Sequence, residues 1–201
     1  MRIVKKNEQG FSYIDVMIAI VILMVGILAM LSALTANLIR SFQSEKRVVA
    51  KQLALSTVES VISAKEMNRV GVIQGFDSLR NSDQPAIIDT STGNQIFGIF
   101  LPGFNPIRDE DGWDGVAGTV DDACAVGGPC AVAGRTTNTS TVKDGYMRRI
   151  IITDIDDPER PIASGYPIAR RRVEVHIRYF ANQIAMEEVA STILTNYGTS
   201  Q

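Results

Sequence analysis

The chain has 201 residues, a formal net charge of −2, and charged side chains at only 21 % of positions against 45 % hydrophobic ones. That balance excludes the basic footprint of a nucleic-acid binder. One histidine and two cysteines leave no ligand set for a structural zinc, and no spacing of Ser, Cys, His or carboxylate residues marks a catalytic constellation, so the expectation is a protein that is not an enzyme.

Residues 1–10 are polar and basic, with Arg2, Lys5 and Lys6 against Glu8. They are followed by a long apolar run: residues 16–39 contain no charged residue and no proline. This exceeds the roughly 20 residues that carry a helix across a bilayer. It is also too long for the apolar region of an ordinary secretory signal, which spans about 7–15 residues. The basic residues before the run place the N-terminus in the cytoplasm by the positive-inside tendency, and the remainder on the other side. One acid, Asp15, lies at the apolar end, where an ionisable group is costly unless paired. Its plainer role is to favour the positive end of the helix dipole.

Gly10, then Phe11, then an acid at the fifth position of the new chain, then the apolar run, resembles the class III signal of type IV prepilins. The resemblance implies that a prepilin peptidase cuts between Gly10 and Phe11 and methylates the new amine of Phe11. It also implies that Asp15 neutralises the Phe11 amine of a neighbouring subunit during assembly. The family usually carries Glu at this position; Asp15 keeps the carboxylate on a side chain one methylene shorter. Loss of the leader removes three bases and one acid and leaves a net charge of −4.

The helix is expected to continue far beyond the span, to about residue 68, on the order of 85 Å at 1.5 Å per residue. The first proline of the chain is Pro85. Over residues 45–64, Val48, Leu55 and Ile62 are spaced by sevens, with Ala54, Val58 and Val61 beside them. Glu45, Gln52 and Glu59 repeat on the other side, an amphipathic pattern. Lys51 interrupts the apolar arc.

Residues 69–145 show no sustained periodicity and are rich in Gly, Asp, Asn, Ser and Thr. A connection this long is usually functional or poorly ordered, and the apolar piece at residues 96–101 reads as an isolated strand or a loop anchor. Within the connection, Asp109, Asp111 and Asp114 alternate with glycines, followed by Asp121 and Asp122. Such a pattern supplies the hard oxygen ligands of a calcium site, although position twelve from Asp109 is Val120 and the EF-hand spacing fails. The alternative is a solvated acidic turn. Cys124 and Cys130 follow. The span implies an oxidising compartment, where a disulfide between them is expected to stabilise by about 2 kcal/mol. Trp113 reads as an interface anchor or a loop-core residue. Asn138, Thr139 and Ser140 form a glycosylation sequon of little weight.

Residues 148–155, 173–179 and 188–195 read as three strands. The second is the clearest, with Val173, Val175, Ile177 and Tyr179 alternating with Arg172, Glu174, His176 and Arg178. His176 falls on the polar side as a surface residue, and Arg170, Arg171 and Arg172 read as a solvated strand start. An antiparallel meander packed on the apolar stripe of the helix is an α+β layer arrangement.

Long helix, variable connection and small antiparallel sheet together resemble the type IV pilin architecture, divided as 1–10 (cleaved leader), 11–40 (membrane and filament-core half of the helix), 41–68 (amphipathic half), 69–145 (variable connection) and 146–201 (meander). Gly26 after IVILMV, the run from Ala50 to Ala54 with Val58 and Glu59, and the closing RRVEVHIRYF and VASTILTNY resemble, within the superfamily, the minor pilin termed type IV pilus modification protein V and the I-type pseudopilin of type II secretion. The resemblance implies an inner-membrane precursor with a periplasmic C-terminal domain. Its expected partners are the prepilin peptidase, other pilins or pseudopilins, the inner-membrane assembly platform and the membrane, with no nucleic acid. Its expected role is filament initiation, assembly or tip formation. Two other readings stand beside it: a secretion pseudopilin, and a membrane-tethered, calcium-dependent adhesin built on the long connection.

Overall fold

The computed structural model describes residues 12–69, 73–89, 93–123, 138–162 and 167–197. The expected cleavage site at Gly10 and Phe11 and the expected Cys124–Cys130 disulfide lie outside the described residues. The chain divides into two compact units, residues 1–45 and 46–201.

In the first unit the described residues are the early part of helix α1 (Tyr13–Glu66). Ser12 opens it: the Asp15 N–H donates to the Ser12 carbonyl at 2.9 Å, and the Asp15 carboxylate accepts the Ser12 N–H at 3.2 Å. This reciprocal clasp is half of a capping box, satisfying a donor that no helical carbonyl reaches. No residue of α1 before Ala50 is buried. The apolar run is long and hydrophobic enough to cross a membrane, with a mean hydropathy of 2.9 over its best window.

In the second unit α1 buries Ala50, Ala54, Thr57, Val58, Val61 and Ala64. The spacing by threes and fours marks one helical face. It includes Ala54, Val58 and Val61 of the expected stripe and leaves out the rest of it. Val48, Leu55 and Ile62, its centre line, are 50 %, 58 % and 43 % exposed. The face that meets the rest of the fold is a row of mostly small residues, more than about 100° round the helix from that line, and it shares one buried core with the sheet. The helix ends at Glu66, two residues before the expected 68, where Asn68 enters strand β1 (Asn68–Arg69), paired with β2 (Ile73–Gln74). Gly75 follows with φ of +54°, and a Cβ there would sit 3.3 Å from the Lys65 carbonyl.

The segment after β2 holds a 3-10 turn (Gly75–Ser78), the hairpin of β3 (Ile87–Ile88) with β4 (Gln95–Ile96), β5 (Asn105–Arg108) and the single-turn α2 (Val120–Ala123). Phe76, Leu79, Ile99, Phe100, Ile107 and Val116 from this segment are buried in the same core as α1 and the sheet. The stretch without periodicity therefore anchors itself residue by residue. Strands this short leave no repeat to read.

Three long strands complete the chain: β6 (Val142–Ile155), β7 (Arg170–Ala181) and β8 (Ile184–Thr195). The sheet is four-stranded, ordered β5-β6-β7-β8, with every neighbour antiparallel. Three strands were expected. The fourth, β5, contains Pro106 and only four residues, too few to show alternation. β7 and β8 are joined by Asn182 and Gln183, both at positive φ (51° and 65°), the two-residue loop whose twist suits a hairpin. On β7, Val173, Val175 and Ile177 are fully buried toward the core, as their alternation requires. Long helix plus C-terminal antiparallel sheet is an α+β layout.

Candidate functional site

The acidic segment forms one closed network. The Asp121 carboxylate accepts the backbone N–H groups of Trp113 (2.9 Å) and Asp114 (3.4 Å) and the Thr119 hydroxyl (2.5 Å). Asp114 accepts the Val116 N–H at 2.8 Å, and Asp122 accepts the Gly118 N–H at 2.6 Å. Gly112, at φ +71°, makes this possible, since a Cβ there would lie 2.3 Å from the Asp121 carboxylate. All three carboxylates are at most 5 % exposed.

Arg148 is the cation of the network. It donates to Asp122 at 3.0 Å and to the Thr57 hydroxyl of α1 at 3.4 Å, so one guanidinium joins sheet, connecting segment and helix. Arg108 adds donations to the carbonyls of Asp122 and Ser140. Burial raises the Asp114 pKa to about 7 against the pull of the Val116 N–H, with the negative neighbours Asp121 and Asp122 raising it further. Burial also lifts Asp122 to about 6 against the opposing pull of Arg148. The Arg148 guanidinium is lowered by the same desolvation, which Asp122 partly offsets.

The residues expected to bind calcium are placed differently from one another. Asp109 is exposed and accepts the Thr141 hydroxyl. Asp111 is exposed, and Asp114 is buried with its carboxylate on Val116. Among the described residues no group of three or more His, Cys, Asp or Glu side chains is gathered as a metal ion would require. What the segment shows chemically is carboxylates spent on backbone donors.

Arg171 is a second buried guanidinium. Expected in a solvated strand start, it is fully buried. It pairs with Asp154 at 2.8 Å, donates to the carbonyls of Phe76 and Leu79, and stacks 4.5 Å from the Phe76 ring centroid. Its position in phase with Val173 and Val175 was the available signal, and Arg148 shares phase with Ile150 and Ile152 in the same way. His176 does lie on the outer row of β7, beside Glu187 of β8. Asn138, the sequon residue, is buried and donates to the Glu110 carbonyl. Trp113 is 39 % exposed.

At the other end of the chain, Asp15 heads the apolar run. Its described partner is the Ser12 N–H of its own helix. Compared with known proteins, the chain matches no family model, no curated protein and no solved structure.

Proposed function

We propose that this chain is a minor pilin: a membrane precursor cut between Gly10 and Phe11 by a prepilin peptidase, then handed by an inner-membrane assembly platform to other pilins in a type IV pilus. The observation that carries the reading is the first half of α1. Residues 16–39 are uncharged, none of them is buried, and a single carboxylate stands at their head. A surface that apolar is stable only in lipid or against like surfaces, and a filament of bundled helices supplies the second once the membrane is left behind. In that bundle Asp15 exchanges its Ser12 partner for the Phe11 amine of a neighbour. Buried charges of opposite sign then satisfy each other and set the axial register. The α+β layout supports the same reading, with a helix whose second half is completed by its own sheet.

The test combines mass spectrometry with filament assays. The mature chain should begin at a methylated Phe11, and a bulky residue at position 10 should leave the precursor in the membrane. Asp15→Ala should be cleaved normally yet enter sheared filaments at a tenth or less of the native amount, normalised to the membrane pool, whereas Asp15→Glu should assemble. A mature N-terminus elsewhere sinks the reading. A deletion strain that keeps its pili but loses exoprotein export would move the chain to the secretion pseudopilus.

A further inference from the structure

The two sides of the sheet end differently. Beyond the short β5, the outer edge of β6 is capped by side chains. Asn81 donates to the Ile150 carbonyl at 2.8 Å and accepts the Ile152 N–H at 2.9 Å, and Gln84 donates to the Ile152 carbonyl at 3.2 Å. β8, at the other side, has no such cover among the described residues. It runs twelve residues in unbroken register with β7 and contains no proline, lysine or bulge, the usual devices that blunt an edge.

Its backbone phase is set by one bond. The Asn196 N–H donates to the Ala169 carbonyl at 2.8 Å, and the Arg170↔Thr195 register continues from there. Backbone groups alternate sides along a strand. The even-numbered residues of β8 therefore bond to β7, and the odd-numbered ones, Val189 and Ser191 at the centre, turn N–H and C=O outward.

Beside this open row lies a groove of about 280 Å³, formed by Lys51, Ala54 and Leu55 of α1 with Glu188, Val189 and Ala190 of β8. Its floor is apolar and its two charges are unequal. Glu188 is held by Arg47 at 2.6 Å, whereas Lys51, the residue that interrupts the apolar arc, enters no ion pair among the described residues.

We propose that β8 accepts an extended segment of a partner protein as a fifth strand. The segment exchanges main-chain hydrogen bonds with the odd-numbered residues of β8, places an apolar side chain opposite Ala190 in the groove, and sets a carboxylate against Lys51. Main-chain bonds supply affinity in this mode, and the alternate side chains supply selectivity. The inference does not rest on the filament reading.

The test uses the full chain in detergent micelles and, as probe, a nine-residue peptide alternating valine and threonine with one valine replaced by glutamate. Binding at up to millimolar peptide should slow amide exchange at Val189 and Ser191. Val189→Pro deletes an outward N–H without touching the β7 ladder, a placement an edge strand tolerates; it should weaken binding at least tenfold with the melting temperature unchanged. Lys51→Glu, which leaves the strand intact, should weaken it about fivefold, and a peptide carrying lysine in place of glutamate should restore it. No binding, or equal binding to both variants, overturns the proposal. Dimers of the chain itself that Val189→Pro dissolves would also overturn it, by placing a second copy on the edge.

Discussion

Along α1 the residues up to Glu45 include Ile22, Leu23, Met24, Leu28 and Met30, all at least 64 % exposed, while the residues after it bury Ala50, Ala54 and Ala64 to 1 % or less. The larger apolar side chains are outside and the smaller ones inside. Hydrophobicity alone therefore does not decide burial. What decides it is whether the chain provides its own second layer. The second half of α1 has one, made of β6, β7, β8 and the anchored residues of the connecting segment. Among the described residues of its own unit the first half has none, which is what supports the proposed place in lipid or against other chains.

The largest effect should come from making the same substitution in both halves. Val61 is fully buried in the core of the second unit. Val61→Asp leaves a carboxylate there without a partner and should cost about 4 kcal/mol or more, enough to unfold the sheet. Circular dichroism in micelles should show strand signal lost. Leu28→Asp should leave the sheet intact and impair membrane partition instead, since an acid at mid-span costs about 3 kcal/mol. If both variants lose the sheet, the two halves are not governed by separate environments.

Next in size is the clasp at Arg148. Arg148→Ala should destabilise the second unit by about 3–5 kcal/mol, because Asp122 is left buried without its cation and must stay charged or take up a proton. Adding Asp122→Asn should recover part of that loss. Chemical denaturation of the two variants measures it, and a double variant no better than the single one would show that the pair is not the source.

Asp114 gives an effect spread over several pH units, with a defined sign. Its folded pKa, about 7, lies above the ordinary 3.8. Between those values the folded state holds a proton that the unfolded state has lost. The contribution of this group is therefore most favourable at low pH, declines as pH rises from about 4 to about 7, and is flat outside that window. The slope is at most about 1.4 kcal/mol per pH unit. Asp114→Asn should keep the Val116 hydrogen bond and remove this slope, so that the native and variant stability curves converge toward pH 4 and separate toward pH 7, the variant being the more stable. Parallel curves would mean that Asp114 titrates normally.

These tests also show what the amino-acid pattern can carry. The apolar run and the alternation from Val173 to Tyr179 were legible because one physical period repeats several times within each. β5 was not, having four residues and a proline. Arg171 was misread because a charge suggests solvent, and Arg148 was read only as the start of a strand. Each sits at the phase of its buried neighbours, and strand phase outweighs residue type when the guanidinium finds acceptors. The acidic segment was legible as a feature, and its chemistry was not. Nothing in the spacing of Asp114, Asp121 and Asp122 says that their oxygens are taken by N–H groups of the same loop.

The smallest effect tests the stripe itself. Val48, Leu55 and Ile62 repeat by sevens, which keeps them within about 20° of one line on a helix of 3.6 residues per turn. Ala50, Ala54, Thr57, Val61 and Ala64 follow a second line, more than about 100° further round the helix, and sevens alone cannot say which of the two meets the sheet. The larger side chains make the first line look like the core. The observed exposures assign the core to the second. Glutamine at Val48 or Ile62 should then change stability by less than about 0.5 kcal/mol, the ordinary scale of a surface substitution. Ala54→Leu, nominally the more conservative change, should cost about 1–3 kcal/mol through overpacking against the sheet. If the order is reversed, so that glutamine at Val48 or Ile62 costs 2 kcal/mol or more while Ala54→Leu is neutral, the helix is rotated about its axis from the observed orientation. The groove between Leu55 and Ala190 would then be closed as well, and with it the place for a fifth strand.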